Sequence, residues 1–159
     1  MIFVTLGSQK FQFNRLLIEI DRLVKEGKIT EEVFAQIGYS DYKPKNYNYK
    51  EFLDRDEFQG VMEKCDKVIT HGGTGAIIGA VKKGKKVIAV PRLAKFDEHV
   101  DDHQLQIVTQ FKEMNLIEVS SEENNILGAI KNVQKNSFNK YQSNTLNIIS
   151  SIEKFIREY

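Results

Sequence analysis

The stretch HGGTGAIIGAVKKGKKVIAVPRLAKFDEHVDDHQ occupies residues 71–104 of the chain. It begins with a glycine-rich turn that follows an apolar run and opens a helical segment. A second apolar run ends at Pro91, and beyond it lies a segment rich in Asp and His. A glycine turn at a helix N-terminus offers backbone N–H groups and a partial positive charge. This order of segments therefore predicts a phosphate group held at the helix N-terminus, with further ligand contacts from the next loop.

The alternation of short apolar runs and amphipathic segments continues on both sides of this stretch. Runs rich in Val, Ile and Phe, apolar on both faces, predict buried strands of a parallel sheet. We predict a single Rossmann-like α/β domain, with one parallel sheet covered by helices on both faces. The predicted strands are 2–6, 33–37, 66–70, 87–90 and 116–119, with a possible short strand at 47–49, and the predicted helices are 14–26, 57–64, 76–83, 100–111, one through 133, and 146–159.

Length and composition indicate one soluble globular domain. The 159 residues are 41% hydrophobic and 28% charged, and the net charge of +1 disfavours a general nucleic-acid-binding surface. Cys65 is the single cysteine, so no disulfide can form within the chain, as expected in a reducing compartment. The N-terminal run lacks the basic start and cleavage site of a signal peptide, and we predict a strand there. No apolar stretch approaches the ~20 residues that span a bilayer.

Three loops are predicted to meet at one edge of the sheet. The segments 7–11, 71–75 and 91–102 all follow strands and leave them at the carboxyl edge, where folds of this kind bind ligands. The glycine turn lacks the Gly-Lys-Ser/Thr end of a Walker loop and the spacing of a G-x-G-x-x-G fingerprint. ATP hydrolysis and dinucleotide binding are therefore disfavoured. A pyrophosphate is the predicted ligand, and an ordinary strand-to-helix turn is the alternative.

The Asp- and His-rich segment permits three interpretations. His99 and His103, at i and i+4, could bind zinc from one helical face, although Val100 stands where a zincin needs its general-base Glu. Ser8 or Ser120 paired with a histidine would suggest a hydrolase, but the chain has no G-x-S-x-G elbow. The third interpretation is a polar helix N-terminus, in which the acidic side chains complement the helix dipole. It explains the acids better than the histidines.

Four further segments have structural and functional interpretations. The Tyr-rich loop 39–50 is either a solvated connection or a functional loop. The basic run 82–86 fits a solvated helix end better than a phospholipid or nucleic-acid patch. Residues 120–123 (SSEE) resemble a capping box for the helix through 133. The apolar stripe of the last helix either packs on its own domain or faces a partner.

Together these motifs resemble the C-terminal, donor-binding half of GT-B glycosyltransferases of family 28. The resemblance lies in the opening IFVTLGSQKFQFNRLL, the core HGGTGAIIGAVKKGKKVIAVPR and the segment DEHVDDHQ, in consistent order over nearly the whole chain. The chain looks most like the stand-alone versions of that half. These include the catalytic subunit of the two-part UDP-GlcNAc transferase of dolichol-linked chitobiose synthesis, and bacterial exopolysaccharide or capsule glycosyltransferase subunits.

The resemblance implies a UDP-sugar donor and assigns residues to it. One position departs from the family pattern, because Gly79 stands where the peptidoglycan enzyme of the superfamily has a ribose-binding Glu. Ribose recognition would then come from other residues. By the family pattern, UDP would be bound by Gly7, Ser8, Gln9, Phe52, Leu53, Gly72, Gly73, Thr74 and Gly75, and the donor sugar by Asp102, His103 and Gln104.

The resemblance also implies a separate partner subunit. A complete GT-B enzyme has two Rossmann-like domains and binds its acceptor with the N-terminal one, whereas this chain has one. A membrane-anchored partner would supply a lipid-linked saccharide acceptor and recruit the cytoplasmic chain to the inner face of the membrane. Residues 1–159 would then form the UDP-sugar-binding domain, with 143–159 as a docking helix. The expected docking residues are Leu146, Ile149, Ile152 and Ile156.

The expected reaction is an inverting hexosyl transfer that uses neither a cofactor nor a metal ion. Backbone amides of the glycine turn would stabilise the UDP leaving group, and His71 or His103 would assist as catalytic residues. No nucleic-acid partner is expected. The first alternative is a non-catalytic nucleotide-binding or enhancer subunit of a glycosyltransferase complex. A UDP-sugar epimerase, which needs two domains in one chain, ranks last.

Overall fold

The computed structural model describes residues 1–158, and these residues form one parallel sheet with helices on both faces. Within them, the strands are β1 Ile2–Thr5, β2 Val33–Gln36, β3 Asn48–Lys50, β4 Lys67–His71, β5 Lys86–Val90 and β6 Glu118–Val119, and the α-helices are α1 Asn14–Lys25, α2 Arg55–Lys64, α3 Thr74–Lys82, α4 His103–Glu113, α5 Ile126–Lys135 and α6 Thr145–Glu158. The strand order is β3-β2-β1-β4-β5-β6, with parallel pairing throughout. The predicted fold class is confirmed, and the possible strand near 47–49 is present as β3.

Alternate strand residues build two hydrophobic cores, because successive side chains of a strand point to opposite faces. On one face, Ile2 and Val4 pack with buried residues of α1 and α5. On the other face, Phe3 and Val68 pack with buried residues of α2, α3 and α4. Both faces of the sheet are therefore covered.

The starts of α4 and α5 differ most from the prediction, while α2 and α3 each begin two residues earlier than predicted. Helix α4 begins at His103 and not at residue 100, because Asp101 Oδ1 accepts a hydrogen bond from the His103 N–H at 3.0 Å. The capping box predicted at 120–123 is wrong. The Ser120 N–H instead extends the β5–β6 pairing by donating to the Ala89 carbonyl at 3.0 Å. The N-cap of α5 is Asn125, whose side chain accepts from the Gly128 N–H.

The Tyr-rich loop is anchored by one buried carboxylate on α1. Asp21 Oδ2 accepts from Tyr42 Oη at 2.6 Å, and the carboxylate also accepts from the backbone N–H groups of Lys45 and Asn46. Burial alone would raise the pKa of Asp21, but these hydrogen bonds outweigh it and lower that pKa. The carboxylate therefore has a structural role in the connection between β2 and β3.

The basic run contacts neutral groups of its own domain. Lys83 donates to Gln59 Oε1, Lys85 to the Cys65 carbonyl and Lys86 to the Gln134 carbonyl. Lys82 lies over the Tyr141 ring, with Nζ 5.4 Å from its centroid. These contacts favour the interpretation of this run as a helix end.

Helix α6 leaves its apolar stripe uncovered. Every described side chain from Thr145 to Arg157 is exposed, including Leu146 at 79% and Ile156 at 69%. The interpretation in which this helix packs on its own domain is therefore not supported by the structure. Tyr159, at the end of the predicted helix, lies outside the described residues. Among residues 1–158, no helix has both the length and the apolar character that a membrane span requires.

We predict that Asp21→Ala lowers the free energy of unfolding by about 2 kcal/mol, because the substitution leaves the Tyr42 hydroxyl and two backbone N–H groups without their acceptor. Urea denaturation followed by circular dichroism measures this loss. Asp41→Ala, at an exposed position of the same loop, is the matched control and should cost less than about 0.5 kcal/mol. Equal losses in the two variants would contradict the anchoring role.

Candidate functional site

The carboxyl edge of the sheet brings together the loops after β1, β4 and β5. Gln12 Nε2, in the β1–α1 loop, donates to the Phe96 carbonyl at 2.9 Å and to the Asp97 carbonyl at 3.2 Å in the β5–α4 loop. Gln104, at the start of α4, connects the β5–α4 loop to the turn after β4. Its Oε1 accepts from the Arg92 N–H at 3.0 Å and from the Gly72 N–H at 3.1 Å. The predicted convergence of three loops is therefore observed.

The glycine turn ends in a helix N-terminus without a side-chain cap. The N-cap of α3 is Gly73, and the first hydrogen bond of the helix runs from the Ile77 N–H to the Gly73 carbonyl. The N–H groups of Thr74, Gly75 and Ala76 have no acceptor among residues 1–158. Helices α2 and α5, in contrast, are capped by the side chains of their N-cap residues. The first turn of α3 thus presents free donors and the positive end of a helix dipole.

Gly72 differs from the glycines that follow it. Its N–H is engaged by Gln104, and a Cβ added to Gly72 would lie 2.8 Å from Gln104 Cβ. A larger residue would push apart the two loops that Gln104 joins. Gly75, in contrast, has nothing within 4 Å of an added Cβ. Within the predicted phosphate set, Gly72 therefore joins the loops, while Gly73, Thr74 and Gly75 form the open end of the turn.

His71 is the last residue of β4 and is buried between two glycines. A Cβ on Gly7 would lie 2.7 Å from His71 Cε1, and a Cβ on Gly73 would clash with His71 Nε2. The imidazole therefore packs between the predicted nucleotide loop and the glycine turn. Burial, and then the positive charge of Arg92, lower the pKa of His71 to about 4. The ring is neutral at neutral pH and can offer a hydrogen bond but no positive charge.

A cavity of about 410 Å³ lies beside the open end of the glycine turn. Leu53, Gly75 and Gly79 are among the residues that line it. Gly79 has nothing within 4 Å of an added Cβ, so the position where the family pattern has an acidic residue faces open space. Phe52 does not line this cavity. Its side chain is 44% exposed and packs edge-on against Tyr39, with 5.1 Å between ring centroids.

The predicted sugar-binding residues lie at the start of α4 and have different environments. Asp102 Oδ1 accepts from the Ala94 N–H at 2.8 Å, and this residue lines a second cavity of about 700 Å³ together with Phe96, Leu105 and Ser121. The His103 side chain is exposed at the first position of the helix. Gln104 is buried, and both of its hydrogen bonds within the described chain use Oε1, so Nε2 remains available as a donor.

Two alternatives from the sequence lack the required geometry. The zinc interpretation needs His99 and His103 on one helical face, but α4 begins at His103 and His99 precedes it. In the part of the chain that the structure describes, no group of three His, Cys, Asp or Glu side chains could hold a metal ion. Neither Ser8 nor Ser120 forms a hydrogen bond with a histidine within residues 1–158, so the hydrolase interpretation has no support either.

Two buried charged residues in the β5–α4 loop were missed by the sequence analysis. Arg92 is 1% exposed, and its guanidinium donates to the Leu6 carbonyl at 2.7 Å and to the Phe11 carbonyl at 3.0 Å. Glu98 is 0% exposed and accepts two hydrogen bonds from Arg15 and one from the Leu93 N–H. The only sequence signal of a role for these two residues was their position within residues 71–104, the stretch that contains the candidate site. Charged residues of this kind are usually exposed, and sequence does not reveal the exceptions.

We predict that wild-type stability falls more steeply between about pH 8 and pH 5 than that of His71→Asn. The folded-state pKa of His71 is about 4, below the ordinary value of 6.5. The unfolded chain therefore binds the proton first, and stability falls as pH drops below 6.5 toward 4. The expected difference is about 2 kcal/mol at about pH 5, measured by urea denaturation.

His103→Asn, at an exposed histidine, is the control for this measurement and should follow the wild type. Parallel pH profiles for the wild type and His71→Asn would contradict the buried neutral state of His71.

Comparisons with known proteins agree on one family and one fold. The family model described as glycosyltransferase family 28 C-terminal domain matches residues 1–159. A UDP-N-acetylglucosamine transferase subunit, ALG13, of Homo sapiens is 26% identical over 69% of this chain and 10% of its own length. The ALG13 subunit of Candida albicans is 37% identical over 34% of this chain and 17% of its own length. The chain thus spans only a small part of these relatives.

Solved structures support the fold. MurG of Acinetobacter baumannii superposes with a TM-score of 0.57 at 17% identity, over 85% of this chain and 41% of that protein. The calicheamicin glycosyltransferase CalG4 gives a TM-score of 0.57 at 19% identity, over 84% of this chain and 32% of that protein. The family match over the full length, together with this fold, shows that the chain belongs to the glycosyltransferase family 28 C-terminal domain family.

Proposed function

We propose that this chain is the donor-binding catalytic subunit of a UDP-sugar-dependent glycosyltransferase. The proposed reaction transfers a hexosyl group, with inversion, to a lipid-diphosphate-linked acceptor in exopolysaccharide or capsule biosynthesis. The observation that carries the proposal is the uncapped N-terminus of α3, which leaves three backbone N–H groups free. They lie at the carboxyl edge of a parallel sheet, where such folds bind nucleotides.

The diphosphate is assigned to the open end of the glycine turn. The N–H groups of Thr74, Gly75 and Ala76 donate to its oxygens, and the dipole of α3 stabilises the negative charge that grows on UDP as it leaves. The proposal assigns this stabilisation to the protein's own donors and gives no role to a metal ion or a cofactor. His71 is neutral, so it contributes a hydrogen bond to this site and no positive charge.

The uridine and the sugar are assigned to opposite sides of the diphosphate. The cavity that Leu53, Gly75 and Gly79 line takes the uridine, and its open space at Gly79 lets the ribose lie close to α3. The sugar contacts Asp102, His103 and the free Nε2 of Gln104. Because His71 is buried, the exposed His103 or a residue of the partner is the better candidate to take the proton of the acceptor hydroxyl.

A membrane-anchored partner is proposed to bind α6 and to hold the chain at the inner face of the membrane. The exposed stripe Leu146, Ile149, Ile152 and Ile156 supports this assignment, because an uncovered amphipathic helix has an apolar face to bury. The related ALG13 proteins are named as subunits, which fits a chain that works within a complex.

The test of the reaction is transfer of labelled sugar to lipid in membranes of the source cells. We expect transfer from one of UDP-N-acetylglucosamine, UDP-galactose, UDP-glucose and UDP-glucuronic acid when this chain is added to membranes that contain the partner. His103→Ala should reduce the rate by at least about tenfold. Absence of transfer with all four donors would contradict the proposal.

A non-catalytic enhancer subunit is the second candidate function. The observation that favours it is that Gln104 and Gly72 are engaged with each other and His71 is neutral, so part of the proposed site maintains the fold. The discriminating measurement is transfer in a complex reconstituted with His103→Ala, since an enhancer should tolerate a change at this exposed position. Unchanged transfer would favour the enhancer role.

We predict that removal of residues 143–159 leaves the domain folded and separates it from its partner. All described side chains of α6 are exposed, so the melting temperature should stay within about 2 °C of the full chain. UDP binding by calorimetry should persist, while transfer with membranes should be lost. A truncated chain that unfolds, or that retains full transfer, would contradict the docking role of this helix.

A further inference from the structure

One buried guanidinium holds both ends of the loop after β1. Arg92 Nη2 donates to the Leu6 carbonyl at 2.7 Å, and Nη1 donates to the Phe11 carbonyl at 3.0 Å. Between these two carbonyl groups lie Ser8, Gln9 and Lys10, which are exposed. The conformation of this exposed tip therefore depends on a side chain from a different loop.

Arg92 carries a charge that has no counter-ion in direct contact. Glu98, the buried carboxylate nearby, is paired with Arg15, whose Nε lies 2.8 Å from Glu98 Oε1. Arg15 thus neutralises this carboxylate, and Arg92 Nε has no hydrogen-bond partner among the described residues. Burial lowers the pKa of Arg92 to about 10, although the charge of Glu98 opposes this. The side chain therefore remains protonated at neutral pH, and the cluster holds an excess positive charge.

Shared hydrogen bonds and packing contacts link Arg92 to the glycine turn. The Arg92 N–H shares Gln104 Oε1 with the Gly72 N–H, and the carbonyl that Arg92 binds at Leu6 directly precedes Gly7. Gly7 packs on His71, which also touches Gly73. None of residues 7–9 lines the cavity beside Leu53. The loop that Arg92 holds thus borders the diphosphate side of the proposed site and not the uridine side.

We propose that Arg92 is a positioning residue for the diphosphate of a nucleoside diphosphate ligand. Its fork of donors fixes the β1–α1 loop beside the glycine turn, so the loop does not have to be ordered when the ligand binds. Its charge adds a buried positive potential behind the free N–H groups of α3. The inference rests on the proposed function, since it assumes that UDP is the ligand.

The test compares UDP with uridine, which lacks the phosphates, in NMR titrations of the ¹⁵N-labelled chain. For Arg92→Met, the ratio of the uridine dissociation constant to the UDP dissociation constant should fall by about tenfold, with uridine affinity changed by less than about threefold. A merely structural role would weaken both ligands equally. Arg92→Gln can still donate to one carbonyl and should also lower the ratio, so this variant decides the question if Arg92→Met does not fold.

The matched control is Lys67→Met, which removes a buried cation at the start of β4, at the amino end of the strands. Lys67 is 4% exposed and lies 2.7 Å from Glu31. The Lys67→Met substitution should lower the stability of the chain without changing the ratio of the uridine and UDP dissociation constants. An unchanged ratio in a folded Arg92 variant, or equal loss of both ligands, would overturn the inference. A wild-type chain that binds neither UDP nor uridine would contradict the proposed function and would remove the inference with it.

Discussion

A single buried amide oxygen joins the loops on which the candidate site depends. Gln104 Oε1 accepts one hydrogen bond from the turn after β4 and one from the loop after β5. Backbone N–H groups buried in loops have no ladder partner, so each needs an acceptor from elsewhere. Because one atom serves both, the separation of the two loops is set by the length of two hydrogen bonds. Close packing at Gly72 allows this approach.

The electrostatics of this edge favour an anion. The first turn of α3 lacks an acidic side chain and a side-chain cap. The buried Arg92 is close enough for its charge to lower the pKa of His71, which precedes the turn. His71 is kept neutral by burial and by the charge of Arg92, so the positive potential comes from groups that do not titrate near neutral pH. A site built in this way does not have to reorganise when negative charge develops on a leaving group.

Cavities border the candidate site, and α6 exposes an apolar stripe. The cavity of about 410 Å³ lies between α2 and α3, and the cavity of about 700 Å³ is lined by the β5–α4 loop and residues 120–123. The ALG13 relatives are described as transferase subunits, and we propose that this chain is likewise one part of a larger assembly. Gln104 and Arg92 hold the loops of this chain together through hydrogen bonds within the chain itself.

Sequence patterns were sufficient to predict the fold class, the alternation of elements and the edge at which the loops meet, because apolar periodicity and the alternation of strands and helices can be read from short stretches of the chain. They also located the glycine turn and the segment that precedes α4. Which of these residues contact each other became clear from the three-dimensional structure. Gln104 was predicted to face the sugar, yet its oxygen joins two loops, and Arg92 and Glu98 were not recognised as buried. The start of α5 was misplaced because Ser120 pairs with β5. These outcomes depend on contacts between residues far apart in sequence, and no local pattern encodes them.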